Sequence, residues 1–216
     1  MKFHVATTAA GLLLAGQALA APAQTNPLQA RQGAPASAAD IVAQIAPNSK
    51  TCAETTECRT ADQAGPLLAD AMAKYGLYSS GQIAAVLALT AFESVDYKYS
   101  HNVSPGRPGQ GTSNMQMFPF VLKYAQSIDA LKAQVAGVTE DAPDDKKNEV
   151  LGLVRTDEYN FGSGPWFLTT QCDSSVVDAL KAGDDAGFQA YMGCVGVTID
   201  SDRQAYWTRA KAAFNL

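Results

Sequence analysis

Residues 81–94 constrain the fold of this chain more than any other stretch. Ile83, Ala84, Ala85, Val86, Leu87, Ala88, Leu89, Ala91 and Phe92 make the segment apolar on every side of a helical period, and Ser79 or Ser80 is placed to cap it. A helix with no polar face has to be surrounded by protein, so this one is expected at the centre of a domain. Its last turn carries a carboxyl group, Glu93. Burial disfavours the charged form of an acid, and so does the partial negative charge at a helix C-terminus. Both effects favour a carboxylic acid that keeps its proton near neutral pH and can donate it. The plainer alternative is a solvated acid at the end of a core helix.

The neighbouring segments also carry a helical period. Helices are predicted over residues 38–46, 62–75, 119–127, 144–154, 174–181, 186–194 and 202–214, with residues 130–135 continuing the 119–127 run. Pro66 fits only near a first turn, which would move the start of the second helix beyond Asp62. Gly76 is its expected stop. Residues 97–114 read as loop, punctuated by Pro105, Gly106, Pro108, Gly109 and Gly111, and residues 159–165 as a second, aromatic and Gly-rich loop. No run of alternating strands is visible, so the predicted class is mainly α.

Residues 1–20 have the form of a secretory leader: Lys2 and His4, an apolar run, then Ala18-Leu19-Ala20. Residues 21–38, rich in Ala, Pro, Gln and Gly, read as a flexible or removed pro-segment, which leaves residues 39–216 as one domain. An exported chain with four cysteines is expected to form two disulfides. Three connectivities are allowed, and the local pairs Cys52–Cys58 and Cys172–Cys194 are favoured. With two histidines in the whole chain, one of them in the leader, a histidine-based metal site cannot be assembled, so no metal or cofactor is expected. The net charge of −5 would repel a phosphate backbone and argues against nucleic acid as a partner. No segment is long and apolar enough to suggest a membrane partner, and a monomer is expected. Gly106 to Gly111 lacks the lysine of a phosphate loop, and a triad would have to rest on His101 alone. Asn102-Val103-Ser104 fits the N-glycosylation pattern.

Glu93-Ser94 at a helix end, a Gly-containing loop with Gly111, then Met115-Gln116 and Pro119 together resemble the lytic transglycosylase and goose-type lysozyme superfamily. A third element, Glu158-Tyr159-Asn160-Phe161-Gly162, is similar to that superfamily's Ala-Tyr-Asn-Ala-Gly. The chain departs from the pattern in Asn114 before Met-Gln and in Val95-Asp96-Tyr97 after Glu-Ser. The resemblance implies a lysozyme-like helical domain around the central apolar helix. It also implies that Glu93 is the catalytic acid that protonates the bridging oxygen of a β-1,4-linked amino-sugar polymer, with Ser94, Tyr97, Met115, Gln116, Tyr159 and Asn160 on the substrate. Asp96, Asp157 and Glu158 are the candidates for a second carboxylate, and Tyr99 and Trp166 for further sugar-stacking faces. The expected function is therefore a secreted glycan-cleaving enzyme with a polysaccharide partner. The alternative is a non-catalytic secreted protein of the same fold that binds a wall glycan or a host component.

Overall fold

The computed structural model describes residues 36–53 and 56–216; the leader and most of the pro-segment lie outside the described residues. Ten helices can be labelled in chain order: α1 Ala38–Ile45, α2 Ala61–Lys74, α3 Ser80–Glu93, α4 Phe118–Ser127, α5 Asp144–Val154, α6 Asp157–Asn160, α7 Ser163–Gln171, α8 Ser174–Ala179, α9 Asp185–Val195 and α10 Ser201–Phe214. Short 3-10 turns occupy Pro47–Lys50 and Leu180–Ala182. Among the described residues there is no strand, only isolated bridges from Gly111 to His101 and to Gln116. The mainly α class is as the sequence implies. No helix among these residues is long and apolar enough to cross a membrane.

Local chemistry sets the helix ends. Ser37 with Asp40 and Thr60 with Gln63 form capping boxes that start α1 and α2, and Ser79 caps α3 through the Gln82 amide. Asp184 and Asp200 do the same for α9 and α10. Gly76 takes a left-handed φ and Leu77 N–H closes back on Met72 O, which ends α2 as expected. Pro66 does not delay α2, because the helix starts at Ala61 and runs through the proline. Residues 130–135 form turns, not a helix. The stretch read as a second loop is helical, being taken up by α6 and the start of α7.

α3 is the central element. Ala84, Ala85, Val86, Ala88, Leu89 and Ala91 are buried, and α1, α7 and α10 pack on it. Two hydrophobic cores result. The first joins α1, α2, α3, α9 and α10 around Leu68, Leu89, Tyr191, Met192 and Trp207. The second joins α4, α5 and α7 around Val121, Leu122, Tyr124, Val150, Leu151, Trp166 and Phe167. Where the two meet on α3, a Cβ at Gly164 would lie 2.8 Å from Thr90 Cγ2, so the residue is small because α7 runs against α3. Both disulfides are the local ones, Cys52–Cys58 and Cys172–Cys194.

Candidate functional site: a polar seam and two clefts

Glu93 closes α3 and is largely buried, with its side chain 20% exposed. It does not face open water, but it is not free either. Arg203 of α10 donates from Nη2 to Glu93 Oε1 at 2.6 Å and lies 4.2 Å from the centre of the Phe92 ring. A second guanidinium nitrogen reaches Thr198 O at 3.0 Å. Burial pushes the Glu93 carboxyl above its ordinary range, while the Arg203 hydrogen bond and charge pull it back. The net shift is upward, the direction expected for a proton donor, yet the group is spent on an ion pair that ties α10 to α3.

Ser94 is fully buried and explains itself locally. Its hydroxyl donates to Thr90 O at 2.6 Å and accepts the Tyr97 amide at 2.8 Å. Between them Val95, Asp96 and Tyr97 all take left-handed backbone angles, φ +53°, +58° and +61°. That turn carries Tyr97 into the core, where its hydroxyl lies 3.2 Å from Thr90 Oγ1 and burial raises its pKa. It also buries Asp96, whose carboxylate accepts from Asn48 N–H and the Tyr206 hydroxyl. Ser94 and Tyr97 therefore present no surface to an incoming molecule. Asp96 is committed in the same way, Asp157 is paired with Arg59, and Glu158 is exposed. Val95 is 54% exposed and β-branched, so its left-handed angle is strained. Val95→Asn is expected to stabilise the fold by about 1 kcal/mol. Thermal unfolding should show it as a Tm rise of about 2–4 °C.

The loop after this turn does bring together two of the residues marked by the sequence. Thr112 and Ser163 hydroxyls both donate to Asn114 Oδ1, Ser113 and Ser163 hydroxyls both reach Asn160 O, and Asn114 stands 3.5 Å from Gln116 Oε1. Gln116 and Asn160 thus share one buried polar seam between the two cores. Each keeps an unpartnered buried atom, Gln116 Nε2 and Asn160 Oδ1. Met115 is half-buried with φ +46°, and its carbonyl accepts from Gln110 Nε2. Tyr159 packs in the second core, and its carbonyl accepts from the Tyr124 hydroxyl. Trp166 is likewise core, tilted against Tyr124 at 5.0 Å. These rings fill protein and offer no stacking platform.

Two clefts differ sharply in lining, a polar one that includes Asn160 of the seam and an apolar one formed by α1, α2 and α3. The first, about 290 Å³, is polar and includes Glu57, Arg59, Ser100, Arg155, Asp157 and Asn160. At its wall the Glu57 carboxylate accepts from Ser100 N at 2.9 Å, Ser100 Oγ at 2.7 Å, Arg155 Nη2 at 2.8 Å and His101 Nδ1 at 2.9 Å. Burial pushes Glu57 up, but the hydrogen bonds from His101 and Ser100 and the Arg155 charge together outweigh it and hold its pKa low. The stability this group contributes is present above the ordinary glutamate range and lost as pH falls through the lowered value. Sequence reasoning missed Glu57, Ser100 and Arg155 as a unit because they lie 43 to 98 positions apart.

The second cleft, about 300 Å³, is apolar. Ile41 and Val42 of α1, Leu68 and Met72 of α2, Ile83 and Leu87 of α3, and Phe214 of α10 line it. Tyr78 stands at the lining with 76% of its surface exposed, its hydroxyl donating to Ala73 O at 3.2 Å. Helical periodicity predicts the helices that carry these residues, but not that α1, α2 and α3 leave a gap between them.

No family model matches the chain, and no solved structure matches it. The chain is similar to a protein of Fusarium oxysporum (strain Fo5176) named bifunctional dioxygenase (DOX)-epoxy alcohol synthase (EAS). The two are 48% identical over 157 residues, which is 71% of this chain and 12% of the relative. The chain thus spans about an eighth of that protein's length. This similarity corrects the functional expectation. A relative named for dioxygenase and epoxy alcohol synthase chemistry does not support a glycan-cleaving enzyme, a glycan-binding counterpart or a polysaccharide partner. The commitment of Glu93 to Arg203 agrees with that correction.

Proposed function

We propose that this chain is an exported helical domain that serves an oxygenase–synthase enzyme system by holding an apolar substrate or product, of the epoxy alcohol type, in the cleft between α1, α2 and α3. The observation that carries the reading is the cleft itself. It is walled by aliphatic side chains and Phe214, and its one phenol, Tyr78, whose proton goes to Ala73 O, keeps lone pairs that can accept from a ligand hydroxyl. Its volume falls at the lower end of the roughly 300–1,000 Å³ usual for small-molecule sites. Burying a hydrocarbon chain there gains about 0.8 kcal/mol per methylene. The printed name of the Fusarium relative supports the chemical class. The sequence of residues 1–20 and the two disulfides support export. The order of the Glu93, Met115-Gln116 and Tyr159-Asn160 motifs, on a helical frame around α3, supports kinship with the lysozyme-like superfamily in architecture alone.

The test is a titration of the protein with a medium-chain epoxy alcohol, followed through the methyl resonances of Ile41, Leu68, Met72 and Leu87. Saturable shifts confined to these groups are expected. Ala69 lines the same cleft from an exposed position, so Ala69→Trp should fill it without disturbing the core and weaken binding at least about tenfold, or 1.4 kcal/mol. Absence of saturable shifts, or equal affinity in Ala69→Trp, would remove the proposal.

A further inference from the structure

The apolar cleft is uncharged as well as oily, and that restricts its ligand further than hydrophobicity does. Among the described residues that line it, none carries a charge, and Tyr78 holds the only side-chain oxygen or nitrogen. Two helix starts adjoin the lining, α1 at Ala38 and α3 just after Tyr78. Their caps are Ser37 with Asp40, and Ser79, so the side chains there add one negative charge and no positive one. The chain as a whole has a net charge of −5. A carboxylate brought into this cleft would lose water and meet no cation, and a charge stripped of water without a partner is costly.

Tyr78 sets the direction of the hydrogen bond that the cleft can make. It is 76% exposed, so a ligand in the cleft can reach it. Its hydroxyl proton goes to Ala73 O at 3.2 Å, a carbonyl that also takes the Gly76 amide at 3.1 Å. What the phenol has left is acceptor capacity. An O–H donor uses that capacity and leaves the bond to Ala73 in place. A ketone or an epoxide brings lone pairs only, and has to displace that bond before Tyr78 can donate to it.

We propose that the cleft is selective for uncharged aliphatic alcohols, with the alkyl chain among α1, α2 and α3 and the hydroxyl donating to Tyr78 Oη. It discriminates against the carboxylate and the carbonyl compound of the same length. The inference rests on the apolar-ligand reading above and narrows it to the neutral, hydroxylated form.

The probes are 1-octanol, 2-octanone and octanoate, each titrated into the full chain at neutral pH while the methyl signals of Leu68, Met72 and Leu87 are followed. 1-Octanol should bind most tightly. 2-Octanone should be about fivefold weaker, the net worth of one hydrogen bond, and octanoate at least about tenfold weaker. Tyr78→Phe, at an exposed position, should bring 1-octanol down to the 2-octanone level and leave 2-octanone unchanged. Ala69 lines the cleft from an exposed position, so Ala69→Lys supplies the missing cation and should raise octanoate to at least the 1-octanol affinity. Four results would overturn the selectivity while leaving the apolar cleft a ligand site: equal binding of the three probes, octanoate tighter than 1-octanol in the unaltered chain, 1-octanol indifferent to Tyr78→Phe, or no gain of octanoate in Ala69→Lys. Absence of saturable shifts with every probe would overturn the ligand reading and the selectivity together.

Discussion

Replacing Trp207 by alanine is expected to cost about 4 kcal/mol of folding stability, the largest single effect foreseen for this chain. Trp207 is fully buried, stacks flat on Phe188 with ring centres 4.5 Å apart, and donates its indole N–H to Asp185 Oδ1 at 2.7 Å. Alanine would leave a cavity between α9 and α10 and remove one of the two groups that hold Asp185, the other being Lys211 at 2.6 Å. Phenylalanine keeps the stacking and loses only the hydrogen bond and part of the volume, so it should cost less than half as much. Urea unfolding measures both. A loss below about 1 kcal/mol for Trp207→Ala would mean that α10 is not part of the cooperative core.

Arg203→Met should cost about 3 kcal/mol at neutral pH, because it strands the Glu93 carboxylate in the protein without a partner. The pH dependence identifies the cause. Burial already raises the folded-state pKa of Glu93 and Arg203 opposes that shift, so removing the arginine raises it further. A carboxyl whose folded pKa is raised loses stability as pH climbs from its unfolded value through its folded one, and regains it on acidification. The deficit of Arg203→Met should therefore shrink as pH falls toward the ordinary glutamate range. Glu93→Gln added to Arg203→Met should recover part of it at neutral pH. Glu93→Gln alone should be milder, since the amide oxygen still accepts from Arg203. A deficit that stays constant with pH would show that lost packing on Phe92, not stranded charge, sets the cost.

The helices that could be read in advance are those whose information is local. Residues 81–94 announced α3 through an unbroken apolar circumference and a serine cap, and residues 144–154 coincide with α5. The stretch from Tyr159 to Pro165 was misread because Gly162, Gly164 and Pro165 look like breakers. Pro165 lies in the first turn of α7, where its missing N–H has no intrahelical partner to lose, and Gly164 is small so that α7 can approach α3. The functional region was less legible. The order Glu93, Gln116, Asn160 was visible, and the structure puts the last two into one hydrogen-bonded seam. That Glu93 is claimed by a guanidinium 110 positions away was not visible. Nor was the aliphatic gap between α1, α2 and α3, which depends on how the helices splay rather than on which residues are apolar.

Cys172 touches both hydrophobic cores, and Cys194, its disulfide partner, packs against the second. One covalent rivet therefore stands where the two lobes meet. A thiol-rich compartment would remove that rivet and leave the lobes joined by packing and polar contacts, each with its own oily interior. An oxidising milieu keeps them clasped.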